Sequence, residues 1–184
     1  MENVRTTDGG GGVSQALAAR IVMVVAAAVL LTVFFLPWGS AGEDFRQAAA
    51  QMPDVWFAEE AGITAADAVD LSLLEYARVY LAIGQMGSGN AFVILVPIIG
   101  SAAVLAAFVL LLAALGKPIG SAVFGVLTLA VSRLIVWDFT DRGVLPNATH
   151  EWGMAPVVHI VAAVVLVAAA VWMVMEKRRA RAKA

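Results

Sequence analysis

WGMAPVVHIVAAVVLVAAAVWMVM, residues 152–175, contains a single ionisable side chain, His159, and runs directly into EKRRARAKA, residues 176–184. A helix needs about 20 predominantly apolar residues to cross the hydrocarbon core of a bilayer. This stretch meets that length and then ends in a block of cations. Three more runs read the same way: residues 21–42 and 79–116 are free of charge, and residues 118–132 continue past Arg133 to Trp137. The pattern predicts an all-α integral membrane protein of four transmembrane helices in a bundle, at about residues 17–38, 91–115, 118–138 and 153–175. The outer loop 39–90 is predicted to form a partly helical extracytoplasmic cap. Residues 1–16 and 176–184 are then a flexible and a basic cytoplasmic tail.

Composition supports one membrane domain. The chain has 184 residues, 61% of them hydrophobic, and a mean hydropathy of +0.87, whereas soluble domains are about half apolar. Cysteine is absent, which removes disulfides, thiolate metal sites and thiol redox chemistry. Arg outnumbers Lys nine to three and Ala and Val are abundant, a bias that points to a bacterial source. The first apolar run is preceded by Arg20 and followed by Gly39-Ser40-Ala41, as a signal peptide would be. It exceeds the about 7 to 15 residues of a signal core and stops at Pro37-Trp38, so an uncleaved first helix is expected.

The charges sort by side. Arg5 and Arg20 precede the first span, Lys117 sits in the turn Gly116-Lys117-Pro118, and Lys177, Arg178, Arg179, Arg181 and Lys183 follow the last. With four spans all of these share one face. The opposite face has Arg46, Arg78 and Arg142 among eleven acids, from Glu43 to Glu151. Basic residues resist translocation, so both termini are expected in the cytoplasm and the protein in the plasma (inner) membrane. Trp38, Trp137 and Trp152 mark outer helix ends and Trp172 an inner one, the level tryptophan prefers. Trp56 alone lies in a loop. The C-terminal cations read first as a membrane anchor; anionic lipid is a further candidate for them, and nucleic acid is not expected.

The long outer loop contains a capping box, Ser72-Leu73-Leu74-Glu75, in which each residue bonds the other's backbone N–H. Helix is predicted from Leu73 to about Met86, with Leu73, Tyr76, Ala77 and Tyr80 on one face. Thr64 to Asp67 suggests a shorter capped turn, and Glu43 to Met52 a helical piece ended by Pro53. A hinge is expected at Gly84 to Asn90, and Pro146-Asn147 reads as a turn in the short second outer loop. Asn147-Ala148-Thr149 fits a glycosylation sequon, which has meaning only in a eukaryotic host. Pro97 and Gly100 suggest a local kink in the second span.

Candidate site residues are few. Arg133 lies inside a span, where charge is costly and usually paired; it is five residues from Asp138, hence about 7 Å below the outer end, within reach of the interface. Beside it Ser121, Gly125, Thr128 and Ser132 form a stripe of small residues that should pack against another helix. His159 shares a face with Ala155, Ala162, Leu166 and Ala169. Arg133 and His159 could meet across an outer pocket near Asp138, Asp141, His150 and Glu151. The plainer reading pairs Arg133 with a loop carboxylate and His159 with a backbone carbonyl. A metal held by His150, His159 and a carboxylate has no ligand spacing to support it, and neither metal nor cofactor is expected.

Three functions compete. A non-catalytic interaction or accessory subunit would use its acidic outer cap and the pair Trp56-Phe57, with the lipid bilayer and a membrane-protein partner or a second copy around it. The layout is similar to that of claudin-type proteins in its inner termini, long first outer loop and short second one; it departs from them in lacking loop cysteines and in a loop that reads as helix rather than strand. A small transporter or channel subunit is the second. The layout is also comparable to that of small multidrug transporters, but no Asp or Glu lies within a span, so proton-coupled export is not expected. The third is a membrane enzyme with an outer-leaflet pocket around Arg133 and His159. No catalytic motif is present, and the non-catalytic reading is preferred.

Overall fold

The computed structural model describes residues 10–86 and 90–182. In chain order the elements are α1 (Gly10–Thr32), β1 (Gly39–Ala41), α2 (Glu43–Gln51), β2 (Trp56–Ala58), β3 (Ile63–Thr64), β4 (Asp70–Leu71), α3 (Leu73–Gln85), α4 (Asn90–Ala114), α5 (Pro118–Asp141), β5 (His150–Trp152) and α6 (Ala155–Ala182). The fold is mostly helical, and α1, α4, α5 and α6 are long and apolar enough to cross a membrane. Helix α1 begins at Gly10, ahead of the span expected from residue 17, and α6 continues through the basic segment to Ala182. Residues 1–9 of the expected tail and 87–89 of the expected hinge lie outside the described residues.

The four long helices close a ring in which α1 packs on α6 and α4, and α5 packs on α4 and α6. Small residues decide the α5–α6 contact. Ser121, Thr128 and Ser132 are buried, and their hydroxyls donate back to the carbonyls of Lys117, Phe124 and Thr128 at 3.0, 2.8 and 3.0 Å. An unpaired polar group in an apolar interior costs several kcal/mol, and this back-bonding removes that cost without any group from a neighbour. At Gly125 an added Cβ would overlap Leu166 Cδ2 of α6. Ala155, Ala162, Leu166 and Ala169 are buried in return, as the stripe implies. The ring's exterior is the reverse, with Val157, Val164, Ile119 and Leu134 more than half exposed. Water does not favour such a surface; hydrocarbon does.

Segment 36–86 folds onto one end of this ring. The capping box forms in both directions, Glu75 N–H donating to Ser72 Oγ and Ser72 N–H to Glu75 Oε2, and launches α3 at Leu73. Tyr76 and Tyr80 then turn inward onto Phe139 of α5, ring centroids 4.9 and 6.0 Å away. Helix α2 occupies Glu43–Gln51 with Pro53 beyond it, and Thr64 and Asp67 bond reciprocally ahead of a single 3-10 turn at Asp67–Val69. Helix α4 continues through Pro97.

The reading of this loop as helix without strand is corrected. Strand β1 is the centre of a three-stranded antiparallel sheet, paired with β4 of the same loop (Gly39 opposite Leu71) and with β5 of the α5–α6 connection (Gly39 opposite Trp152, Ala41 opposite His150). A second, two-stranded sheet pairs β2 with β3. The strands are two or three residues long, too short for alternation to register. Two connections far apart in sequence are thereby stitched into one layer.

Gly39 is required where this layer meets the bundle, since an added Cβ would overlap the Tyr76 hydroxyl and lie 3.2 Å from Leu145 Cδ2. Gly39→Ala is expected to destabilise the fold by about 2 kcal/mol, the usual cost of overpacking. Combining it with Tyr76→Phe should recover part of that loss. Thermal unfolding of the purified full chain in non-ionic detergent checks both, and a Gly39→Ala protein as stable as the parent would refute the contact.

Candidate functional site

The two residues that the sequence placed across a common pocket differ in burial, His159 being enclosed and Arg133 exposed. His159 is buried in the α5–α6 contact, with Nδ1 2.9 Å from Ser132 Oγ. The Ser132 hydroxyl thus stands between the Thr128 carbonyl, 3.0 Å away, and the imidazole. The His159 ring also meets the edge of Trp38, centroids 6.2 Å apart. Its partner is thus a hydroxyl, where the plainer reading expected a backbone carbonyl. Arg133, the next residue along α5, has an exposed side chain. Adjacent residues on a helix point about 100° apart, and burial of Ser132 turns Arg133 outward.

Asp138 pairs with Arg142, one helical turn on, rather than with Arg133. The Arg142 guanidinium also lies over the Tyr80 ring, 5.4 Å from its centroid. Arg142 and Tyr80 were not candidates from sequence, although the four-residue spacing of Asp138 and Arg142 is the helical ion-pair signal. Asp141 is exposed at the end of α5, and Glu151 is exposed on β5. Burial pushes the Tyr80 phenol above its usual range while the Arg142 cation opposes that shift. Tyr76 is raised further, first by burial and then by its proximity to Tyr80.

His150 joins the two connections. Its Nε2 donates to the Ala68 carbonyl at 2.7 Å, Nδ1 lies 2.9 Å from Thr149 Oγ1, and the ring packs against Phe45 and Phe57. Asn147 builds the turn before it: Oδ1 accepts from the N–H groups of Thr149 and His150, both at 2.8 Å, and Nδ2 donates to the Val144 carbonyl. The sequon asparagine therefore has a turn-forming role of its own. His150 and His159 are held by different partners, and no group of three or more metal-binding side chains occurs among the described residues.

Trp56 is 54% exposed. It lies on β2 opposite Thr64, and with Met52, Val55 and Phe57 it forms an exposed apolar tip beside Asp54, Glu59 and Glu60. The five candidates thus occupy three places: His159 in the bundle, Arg133 on its flank, and Asp138, Asp141 and Trp56 at the end that carries segment 36–86. Comparison with protein-family models, with curated proteins and with solved structures finds no match.

Two outcomes follow from this geometry. Ser132→Ala removes the hydroxyl partner of the buried His159 Nδ1 and is expected to cost about 1 kcal/mol, the scale of interhelical hydrogen bonds in membrane proteins, whereas Arg133→Ala should change stability by less than about 0.5 kcal/mol. Unfolding in detergent distinguishes them, and equal losses would contradict the divergence of the two side chains. The tyrosines predict a dependence on high pH. A phenol raised in the folded state contributes stability that is complete below the ordinary tyrosine pKa, about 10, and that falls as pH rises, because only the unfolded chain then ionises. Phenolate absorbance of a Tyr80→Phe protein should therefore show Tyr76 titrating only as the fold melts; reversible ionisation of Tyr76 in the folded protein near pH 10 would contradict its burial.

Proposed function

We propose that the chain is a multi-pass protein of a bacterial plasma membrane, both termini cytoplasmic, that acts as a non-catalytic interaction or accessory subunit. Segment 36–86 is its outer cap. The exposed tip of Met52, Val55, Trp56 and Phe57 carries the reading. Aromatic side chains left in water at the far end of a folded layer cost free energy, and large exposed apolar patches rimmed by polar groups mark contact sites. The rim is acidic, through Asp54, Glu59 and Glu60, so the occupant is a partner protein that offers an apolar cleft with a basic surround.

The orientation rests on where the cations lie. Arg20 bonds the Ala114 carbonyl and Lys177 the Gly116 carbonyl, so the start of α1, the 114–117 turn and the end of α6 share one end of the bundle. Lys and Arg gathered there favour that end as the cytoplasmic one. The opposite end holds every described carboxylate but Glu176. The enzyme and transporter readings draw less support, because His159 turns into the α5–α6 contact and Arg133 away from it.

A photo-crosslinking residue placed at position 56 of the full chain in cells tests the proposal. One discrete protein adduct is expected, weakened by salt and abolished by Glu59→Lys with Glu60→Lys. An adduct of twice the chain's mass would make the partner a second copy. No protein adduct at all, or one indifferent to reversal of those two charges, would overturn the reading.

A further inference from the structure

The basic end of the bundle contains a cavity that the anchoring of a membrane helix does not require. It measures about 560 Å³ and lies between the 114–117 turn and the end of α6. Four cationic residues line it: Lys117, Lys177, Arg178 and Arg181. No carboxylate does. Glu176, the acid at this end among the described residues, turns instead to Arg179, 2.8 Å away. Lys177 is fixed over the turn by its bond to the Gly116 carbonyl at 2.9 Å. Ile119 and Gly120 of the first turn of α5 also line the cavity; their N–H groups precede the first intrahelical bond, from Ser121 to Lys117, and such donors favour an anion.

A second cavity, of about 330 Å³, runs on from the first along the α5–α6 seam. The two share Pro118, Ile119, Val174 and Arg178. Beyond those residues the lining is apolar, and Ala122 of α5 and Ala170 of α6 leave the groove open where larger side chains would fill it. A cluster of cations is thus continuous with an apolar groove on the flank of the bundle.

We propose that this composite site binds one anionic phospholipid, its phosphate among Lys117, Lys177, Arg178 and Arg181 and an acyl chain along the groove between α5 and α6. Charge complementarity selects the headgroup and the adjoining groove selects a lipid over a free anion. Basic pockets between transmembrane helices on the cytoplasmic side hold acidic headgroups in this way. The site rests on membrane insertion of the four helices and is independent of the partner proposed for the outer cap.

The test uses the purified full chain in non-ionic detergent, titrated with dioleoyl phosphatidylglycerol, with dioleoyl phosphatidylcholine and with inorganic phosphate, and read by native mass spectrometry and thermal shift. Phosphatidylglycerol is expected to bind about tenfold more tightly than phosphatidylcholine, with no shift from phosphate. Arg178→Gln should remove about tenfold of that affinity, the scale of a lost charge-assisted hydrogen bond. Arg179→Gln, a neighbouring charge outside the cavity, should change it less than twofold. Val171→Trp, on the exposed flank of the groove, should weaken both lipids. Equal binding of the two lipids, equal effects at 178 and 179, or a phosphate shift matching that of the lipid would each overturn the proposal; Lys117→Gln serves if the protein altered at 178 does not fold. Carbonate-resistant recovery of the chain with membranes separates a failure of insertion from a failure of this site.

Discussion

The connections at the sheet-bearing end depend on satisfying the backbone just beyond α1 and the 3-10 turn that follows it, at Pro37 and Trp38. The Trp38 N–H donates to the Leu71 carbonyl at 2.8 Å, its carbonyl accepts from Gly153 N–H at 2.8 Å, and the Pro37 carbonyl accepts from Ala155 N–H at 3.0 Å. The indole N–H donates to the Val33 carbonyl at 3.0 Å, satisfying one of the acceptors left by the end of the helix. Trp38 itself is 1% exposed. The exit of α1, the approach to α3 and the entry to α6 are therefore tied to two residues, and in a region of low polarity each of those bonds would be costly to leave unmade.

That junction explains why the tryptophans divide into two kinds. From sequence, Trp38, Trp137 and Trp152 are equivalent markers of a headgroup level. Trp137 is 66% exposed on the bundle flank. Trp38 belongs instead to the core, and Trp152 is half-buried on β5 with its ring stacked 6.5 Å from Phe139. What separates them is β1: once it is paired on both sides, the residues flanking it are drawn into the layer. A tryptophan at a helix end is an interface marker only when the chain beyond it does not fold back.

Local signals in the sequence were legible because their partners lie one helical turn away. The capping box at Ser72 and Glu75, the helix ended before Pro53, and the Ser121 to Ser132 stripe all report contacts or packing faces at spacings of three or four residues. The stripe implied close approach of another helix, and the structure makes that helix α6. Pairings over longer distances were not legible. Nothing in Gly39-Ser40-Ala41 announces a strand bonded to residues 70 and 151, and nothing in His150 announces the Ala68 carbonyl. Arg133 and His159 were singled out because charge in a span is rare; which way each points depends on Ser132 between them in space and on the seam it lines.

The two ends of the bundle carry polarity by different physical means. At the sheet-bearing end, where carboxylates outnumber cations, two of them form ion pairs, Asp138 with Arg142, and Asp70 with Arg46, which also donates to Ser40 Oγ at 2.7 Å and to the Ala41 carbonyl at 2.8 Å. These pairs are partly exposed and stabilise the fold only weakly; their effect is to hold β1, β4 and the end of α5 in register. At the other end six cations, Arg20, Lys117, Lys177, Arg178, Arg179 and Arg181, face one described carboxylate, Glu176, and it is paired within its own helix. Like charges so concentrated repel unless a counter-charge from outside the chain is close by. The basic end is thus electrostatically incomplete by itself, and its charge is balanced only by an anion from outside the chain.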